Sequence, residues 1–239
     1  MYKEVNGRWG PIRYFGRDEY VGRSIHNYGE YNPDETEMIL SLAEIGGRDK
    51  VCLDIGANIG CISQALGHEG FNTVAFEPQL ELFALLQYNA PSAMCMNWAV
   101  GSESGIAKMP KVYYSDKGNF GGLGLHEKSI YGTIDVGVMV LDQSIVYQMT
   151  VGFIKIDVEG YELEVLKGAT GIIRRDRPIL YIEDDRTEKS NALRAYINSL
   201  GYSITEHRPT LYREQNFFKL EKNIWDRNYA SHNLICRPI

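Results

Sequence analysis

Short apolar segments alternate with amphipathic segments along most of the chain, and this alternation constrains the fold more than any other feature. Runs such as "KVCLDIG", "NTVAFEP", "VGFIKIDV" and "RPILYIED" are each followed by a stretch with helical spacing of apolar residues. Continuous apolar strands separated by helices are typical of a parallel sheet covered on both faces. The closing runs "YSITEH" and "HNLICRPI" follow one another, which predicts an antiparallel pair at the end. The sequence therefore predicts an α/β, doubly wound fold.

Composition divides the chain into a cap, a main domain and an insertion. Residues 1–31 are rich in Gly, Tyr and Arg without a sustained period, which predicts an irregular N-terminal cap with a short hairpin. Residues 32–239 form the predicted domain, and its first helix starts with Asn32 as N-cap and Glu35 at the capping-box position. Within this domain, residues 102–130 are Gly-rich and long for a plain connection, so we predict an insertion above the sheet.

The totals exclude several classes of protein. With 239 residues, 44% apolar and 23% charged residues, the chain has the composition of a globular domain. A net charge of −6 without a basic run disfavours nucleic acid as the main partner. The sequence shows no signal peptide, membrane span or CxxC spacing, so we expect a cytoplasmic protein with reduced thiols and no zinc. A homodimer is compatible with these totals.

The segment "LDIGANIG" joins the first strand of the main domain to a helix. Gly56 and Gly60 permit positive φ and a close backbone approach to a ligand, and Asn58 is the residue type that best replaces glycine in such a turn. A dinucleotide turn needs Gly-x-Gly-x-x-Gly, but Cys61 stands at the third glycine position. Asp54 before the turn would repel a pyrophosphate and suits a ligand with an amine and hydroxyls. This pattern favours S-adenosylmethionine.

Two further candidate cofactor positions follow at the ends of the next two strands. Glu77 ends the second strand, where an acid can accept both ribose hydroxyls of an adenosine, and Pro78 beside it belongs to the same candidate set. Asn97 and Trp98 end the third strand and are candidates to read the edge of the adenine or to cover its face. Three such marks in order at successive strand ends indicate a cofactor site more strongly than any one of them.

Acidic residues also end the fourth and fifth strands. Asp157 and Glu159 follow the fourth strand and Glu183 ends the fifth, so these three are the candidate catalytic residues. Asp157 is also a candidate for cofactor binding. One carboxylate could act as a general base with a raised pKa, or the group could hold Mg²⁺ or Ca²⁺ and lower the pKa of a bound hydroxyl. No residue is assigned as a metal ligand. His26 and His126 are further candidates for a base.

There is also a plain structural interpretation of the acids after the fourth strand. Asp157 and Glu159 precede a predicted helix, whose free N–H groups favour a capping acid. Similarly, Tyr28 and Glu30 in the cap could close over a cofactor or could pack the cap onto the sheet.

Four segments together resemble the FkbM-type S-adenosylmethionine-dependent methyltransferases: "VCLDIGANIGCISQALG", "VAFEPQLELFALLQYNA", "NWAVGSESG" and "FIKIDVEGYELEVLKGA". The last is the most diagnostic, and the resemblance covers about residues 17–186. It implies a class I methyltransferase, Rossmann-like fold with a seven-stranded sheet whose last strand is antiparallel. It also implies transfer of a methyl group to a hydroxyl, often of a sugar in a glycan or natural product. The identity of the acceptor does not carry over.

Other classes of function are weighed against this interpretation. A nucleotide-sugar or NAD-linked oxidoreductase would need the missing third glycine. A non-catalytic binding module would not need the turn, Glu77 and both acidic strand ends together. Methylation of nucleic acid is disfavoured by the negative charge.

Overall fold

The computed structural model describes residues 2–125, 127, 129–226 and 231–239, and this part of the chain forms twelve strands and seven α-helices. In chain order they are β1 (Tyr2–Gly7), β2 (Gly10–Phe15), α1 (Val21–Tyr28), α2 (Pro33–Gly46), β3 (Val51–Ile55), α3 (Cys61–His68), β4 (Asn72–Phe76), α4 (Leu80–Asn89), β5 (Met94–Met96), β6 (Ala99–Val100), β7 (Gly105–Pro110), β8 (Thr133–Met139), β9 (Val151–Ile156), α5 (Glu162–Gly168), α6 (Thr170–Asp176), β10 (Ile179–Glu183), α7 (Thr187–Ser199), β11 (Tyr202–His207) and β12 (Asn233–Pro238). None of the described helices has the length and apolar character needed to cross a bilayer.

Seven of these strands form the main sheet, in the order β11-β12-β10-β9-β3-β4-β5. From β10 to β5 all neighbours are parallel, whereas β12 is antiparallel to both β10 and β11. The predicted doubly wound fold with an antiparallel last strand is therefore confirmed. Because β3, β4, β9 and β10 are parallel, their carboxyl ends meet at one edge of the sheet.

Alternating side chains of the central strands build two separate cores. Phe153 on β9 packs with Ile39 of α2 on one face of the sheet. Its neighbour Ile154 packs with Leu166 of α5 and Ile197 of α7 on the other face. These side chains are fully buried, and each burial contributes about 2 kcal/mol to folding. Burial on both faces explains why these strands have near-continuous apolar sequences.

A second sheet of three strands, β6-β8-β7, was not predicted. The apolar run "AMCMNWAVG" is two strands rather than one, because β5 joins the main sheet and β6 pairs with β8. β7 lies inside the predicted insertion, where Ala107 and Met109 pack against Val136 and Val138 of β8. Part of residues 102–130 is therefore regular structure.

The N-terminal cap is more ordered than predicted. The expected hairpin is present as β1 and β2, and α1 follows it. Asn89 at the end of α4 binds the hairpin, since its amide accepts from Arg13 N at 2.7 Å and donates to Arg13 O at 2.9 Å. Tyr28 and Glu30 pack the cap against the connection between β11 and β12: Ile224 N donates to the Tyr28 hydroxyl and Phe217 N donates to the Glu30 carboxylate. The packing interpretation of these two residues is the one the structure shows.

The start of α2 departs from the predicted capping box. The helix begins at Pro33 as expected, but Asn32 has a left-handed backbone (φ 42°) and its side chain caps no helix N–H. A capping residue normally has an extended backbone, which places its oxygen over the first turn. Here the Asn32 amide instead donates to Glu35 Oε2 at 2.7 Å.

Candidate functional site

A cavity of about 280 Å³ lies at the carboxyl ends of β3, β4, β9 and β10. Its floor, as we call it, consists of the residues that follow these four strands. Its roof consists of residues 20–35 of the cap and α2 together with residues 119–125 of the insertion. Crevices at this edge of an open α/β sheet are where ligands bind.

The turn between β3 and α3 has the backbone that the sequence predicts. Gly56, Asn58 and Gly60 have φ angles of 78°, 53° and 89°. The glycines, however, make room for the protein itself. A Cβ on Gly56 would lie 1.8 Å from the Asp157 carbonyl oxygen, and one on Gly60 would lie 2.8 Å from Leu86 Cδ1. Packing within the protein therefore already requires glycine at both positions. Gly56 and Asn58 line the cavity, and a close approach of the turn to a ligand stays a prediction.

Asp54 lies beneath this turn and is fully buried. Its carboxylate accepts a hydrogen bond from Ser63 Oγ at 2.6 Å and lies 3.4 Å from Lys155 Nζ. Lys155 in turn donates to the Gly56 carbonyl at 3.0 Å and lies 3.3 Å from the Asp157 carboxylate. Burial by itself lowers the pKa of Lys155, but Asp157 and Asp54 raise it above the ordinary value. Asp54 thus links the start of α3 and Lys155 of β9 to the end of β3. Direct contact between Asp54 and a cofactor stays a prediction.

Glu77 lies at the end of β4 and is 4% exposed. Its two carboxylate oxygens accept the N–H groups of Asn58 and Gln79, both at 2.9 Å. Burial raises the pKa of Glu77 to about 7, and these hydrogen bonds offset the rise in part. Each oxygen keeps a second lone pair, so the side chain can still accept two hydroxyls as predicted.

The other candidates for adenosine binding divide into two kinds. Pro78 and Trp98 line the cavity, and Trp98 lies over Gly137 of β8, where a Cβ would be 2.4 Å from the indole. Asn97 instead donates its amide hydrogens to the carbonyls of Glu77 and Pro78 at 2.8 and 3.0 Å. Asn97 therefore supports the loop that carries Glu77, and direct recognition of the adenine edge by Asn97 stays a prediction.

The acidic residues after β9 and β10 meet in the cavity. Asp157, Glu159 and Glu183 each place a carboxylate oxygen within 4.8 Å of the others. Glu159 has a left-handed backbone (φ 56°) and accepts from Arg186 at 2.9 Å. Glu183 is 8% exposed, and among the described residues no Lys, Arg or His nitrogen lies within 4.0 Å of it. Asp157 and Glu159 each lie next to a cation, so among these three acids only Glu183 has no described cation within 4.0 Å.

The pKa values of two of these carboxyls are raised. Burial, followed by the charge of Asp157, raises the pKa of Glu159 to about 8, although Arg186 opposes the change. Burial also raises the pKa of Glu183 well above its ordinary value, and the charges of Asp157 and Glu159 add to the effect. Carboxyls with raised pKa values in a cavity at the edge of the sheet are typical of groups that exchange protons with a ligand.

The interpretation of Asp157 and Glu159 as helix caps is wrong. α5 begins only at Glu162, and it is the Glu162 carboxylate that accepts the N–H groups of Val158 and Gly160 at 3.3 and 2.8 Å. Both earlier acids are therefore free to face the cavity.

Neither histidine candidate is placed in the site. His26 lies in the cap, where Nδ1 is 2.9 Å from the Tyr14 hydroxyl, and it lines a separate groove. His126 falls outside the described residues.

Glu35 is the residue in the site that the sequence did not reveal. It lines the cavity from α2 and is 6% exposed. Burial, with the charge of Asp157, raises its pKa to about 7, while Lys155 and Asn32 oppose the rise. Its spacing from Asn32 fits a capping box, so the sequence predicts a structural role for Glu35 and gives no sign that it lines the cavity.

The strand order and the cavity together define a class I methyltransferase fold. The sequence model of the methyltransferase FkbM domain matches residues 54–204, and the chain belongs to that family. The resemblance carried by the four sequence segments is thereby confirmed.

Similar proteins agree with this assignment. Hexuronic acid methyltransferase AglP of Haloferax volcanii is 31% identical over 152 residues, which are 59% of this chain and 58% of the relative. The chain thus spans little more than half the length of that relative.

Solved structures share the fold. Methyltransferase FkbM from Methylobacillus flagellatus KT superposes with a TM-score of 0.52 at 19% identity, over 91% of this chain and 55% of that one. An O-methyltransferase from Bacillus cereus in complex with SAH gives 0.51 at 13% identity, over 87% and 81%.

Proposed function

We propose that this protein is an S-adenosylmethionine-dependent O-methyltransferase that methylates a hydroxyl of a sugar in a glycan or natural product. One observation carries the proposal: a single cavity holds Glu77 on one side of the turn after β3 and a cluster of three carboxylates on the other side. These carboxylates belong to Asp157, Glu159 and Glu183. Membership of the FkbM family supports the same reaction.

The side chains present fit an adenosine with a charged tail. Glu77 would hold the ribose with its free lone pairs, while Pro78 and Trp98 would cover the base. Gly56, Asn58 and Gly60 form the turn beneath, and Asp157 lies on the side of β3 away from Glu77. In this proposal Asp54 and Asn97 hold the turn and the loop after β4 in place.

Bound S-adenosylmethionine would supply a methyl group activated on a sulfonium centre. The protein has to hold the acceptor oxygen in line and remove its proton. We assign proton removal to Glu183, because its buried carboxylate has a raised pKa and, among the described residues, no Lys, Arg or His nitrogen within 4.0 Å. Asp157 and Glu159, each next to a cation, would accept hydrogen bonds from other acceptor hydroxyls and fix their position.

The sugar acceptor is favoured by two points. The relative named above acts, by its name, on a hexuronic acid. Several carboxylates in a small cavity also offer the acceptors that a polyhydroxyl ligand needs. We keep nucleic acid out of the proposal because of the net charge of −6. A homodimer and a cytoplasmic location stay predictions.

A bound metal is the second candidate for activating the acceptor. The three carboxylates have oxygens within 4.8 Å of one another, and hard oxygen ligands suit Mg²⁺ or Ca²⁺. Acidic groups cluster in many sites without a metal, so the general base is the better-supported proposal.

The first test is calorimetric titration with S-adenosylmethionine and S-adenosylhomocysteine, on wild type and Glu77→Ala. We expect micromolar binding that the substitution weakens about tenfold or more, because two charge-assisted hydrogen bonds are lost. Binding would then justify a screen of sugar acceptors by mass spectrometry. A folded protein that binds neither ligand would overturn the proposal and favour the non-catalytic module, and NADH binding would favour the oxidoreductase.

A further inference from the structure

Glu35 is a buried carboxylate that forms no ion pair with any other described residue. Its Oε2 accepts one hydrogen bond, from the Asn32 amide at 2.7 Å. Among the described residues, no nitrogen of Lys, Arg or His lies within 4.0 Å of it, since Lys155 pairs with Asp54 and Asp157 instead. Buried carboxylates in proteins are normally paired, because an isolated charge is costly to remove from water. The Glu35 carboxylate is therefore a candidate to bind a positively charged group of a ligand.

Asn32 adds a second buried acceptor. It lines the same cavity, is 2% exposed, and its Oδ1 has no hydrogen-bond partner in the part of the chain that the structure describes. Reversing the amide does not remove the defect, because its nitrogen must face the Glu35 carboxylate to donate to it. The left-handed backbone of Asn32 holds this side chain beside Glu35 instead of on the helix end. A buried amide oxygen without a donor is rare in proteins and calls for a ligand that donates.

The position of this pair matches one end of the expected cofactor. Glu77 stands at the end of β4, and β9 with Asp157 lies on the other side of β3. The charged groups that act on Glu35 are Asp157, Lys155 and Asp54, which belong to the turn after β9, to β9 and to β3, respectively. Glu35 therefore faces the side of the cavity opposite the proposed ribose site.

We propose that Glu35, with Asn32 beside it, binds the α-ammonium group of the methionine part of the cofactor. An ammonium carries three N–H donors and one positive charge, which supplies what both side chains lack. Glu35 would accept a charge-assisted hydrogen bond and Asn32 Oδ1 a second one. This inference rests on the proposed function, and it assigns to α2 a role in cofactor binding that Asp54, facing Ser63 and Lys155, does not fill.

The test compares two ligands on matched variants. The ligands are S-adenosylhomocysteine and its analogue in which hydrogen replaces the α-amino group, and the measurement is the dissociation constant from calorimetry. Wild type should prefer the aminated ligand by about tenfold or more, the size expected for hydrogen bonds to a charged group. Glu35→Gln should reduce this preference to about threefold or less, while its affinity for the deaminated analogue stays close to that of wild type.

Two control variants separate this result from general damage. Glu37→Gln removes an acid from the exposed side of the same helix, where it pairs with Arg8 and Arg213, and should keep the full preference for the amine. Glu77→Gln should weaken both ligands by the same factor, because both carry the ribose. Should Glu35→Gln fold poorly, Asn32→Gly removes the unpartnered oxygen at a left-handed position that glycine tolerates, and it should also reduce the preference.

Several outcomes would overturn the inference. One is a Glu35→Gln or Asn32→Gly variant that discriminates between the two ligands as strongly as wild type. Another is a wild-type protein that binds both ligands equally. Failure of the proposed function looks different, because then neither ligand would bind to wild type at all.

Discussion

Gly56 combines a left-handed backbone with a complete lack of space for a side chain. Its φ is 78°, and the Asp157 carbonyl occupies the place of its Cβ. The sequence predicts the turn, because glycine after an apolar strand and an acid is a strong signal. It does not predict that the Asp157 carbonyl occupies the Cβ position of Gly56. That contact joins residues after β3 and β9, which are neighbours in the sheet but lie far apart in the sequence.

Substitution of this glycine should therefore be costly. Gly56→Ala should lower the free energy of unfolding by about 3 kcal/mol or more, because a Cβ 1.8 Å from the Asp157 oxygen forces β9 and the turn apart. Gly70→Ala is the matched control, since Gly70 also has a positive φ (82°) but open space around its Cβ position. The control should lose only about 1 kcal/mol. Equal losses in urea unfolding would show that the backbone angle alone decides.

At the scale of elements, the carboxyl ends of the strands position the candidate site residues. β3, β4, β9 and β10 could be predicted because burial on both faces gives them continuous apolar sequences. The sheet β6-β8-β7 could not, because the apolar run "AMCMNWAVG" continues across the point where one strand ends and the next begins. Likewise the site acids at the ends of β9 and β10 follow from the sequence. Glu35 does not, because its position in α2 fits the sequence pattern of a capping box, although the structure does not form one.

The end of β10 carries a testable prediction at this scale. Glu183→Gln should lower kcat about a hundredfold or more, because the amide cannot take the acceptor's proton. Wild-type activity should rise as the pH increases above the ordinary titration range of a glutamate, because burial raises the pKa of Glu183 well above its usual value. Glu188→Gln, on the exposed first turn of α7, is the control and should leave kcat unchanged. Loss of activity with EDTA and recovery with Mg²⁺ would instead support the metal.

Over the whole molecule, buried carboxyls should make the cofactor-free protein less stable at alkaline pH. Burial raises the pKa of Asp18 to about 6 and those of Glu35 and Glu77 to about 7, all above the ordinary values for these groups. A folded-state pKa above the unfolded one means that the folded protein binds the proton more tightly. The resulting stabilisation is complete below about pH 4 and is lost as the pH rises to about 7.

Thermal unfolding between pH 5 and 8 tests this prediction. The free energy of unfolding should fall by about 3 kcal/mol or more over that range, since each shifted group contributes about 1.4 kcal/mol per pKa unit. Acids with lowered pKa values, such as Asp176 and Glu37, titrate below this range. Glu77→Gln should flatten the curve, and saturating S-adenosylhomocysteine should do the same by donating to the ionised acids. Higher stability at pH 8 than at pH 5.5 would contradict the prediction.

The floor and the roof of the cavity come from different parts of the fold, so they can evolve separately. The floor consists of strand ends whose spacing is fixed by the main sheet, so the positions of its side chains are set by the fold. The roof consists of residues 20–35 and 119–125, which lie outside that sheet. Just before these two segments, Asp18 and Gly118 form an isolated β-bridge. We therefore expect residues 119–125 to vary between relatives with the acceptor, whereas the strand ends and the Asn32–Glu35 pair, which would hold the cofactor, are kept.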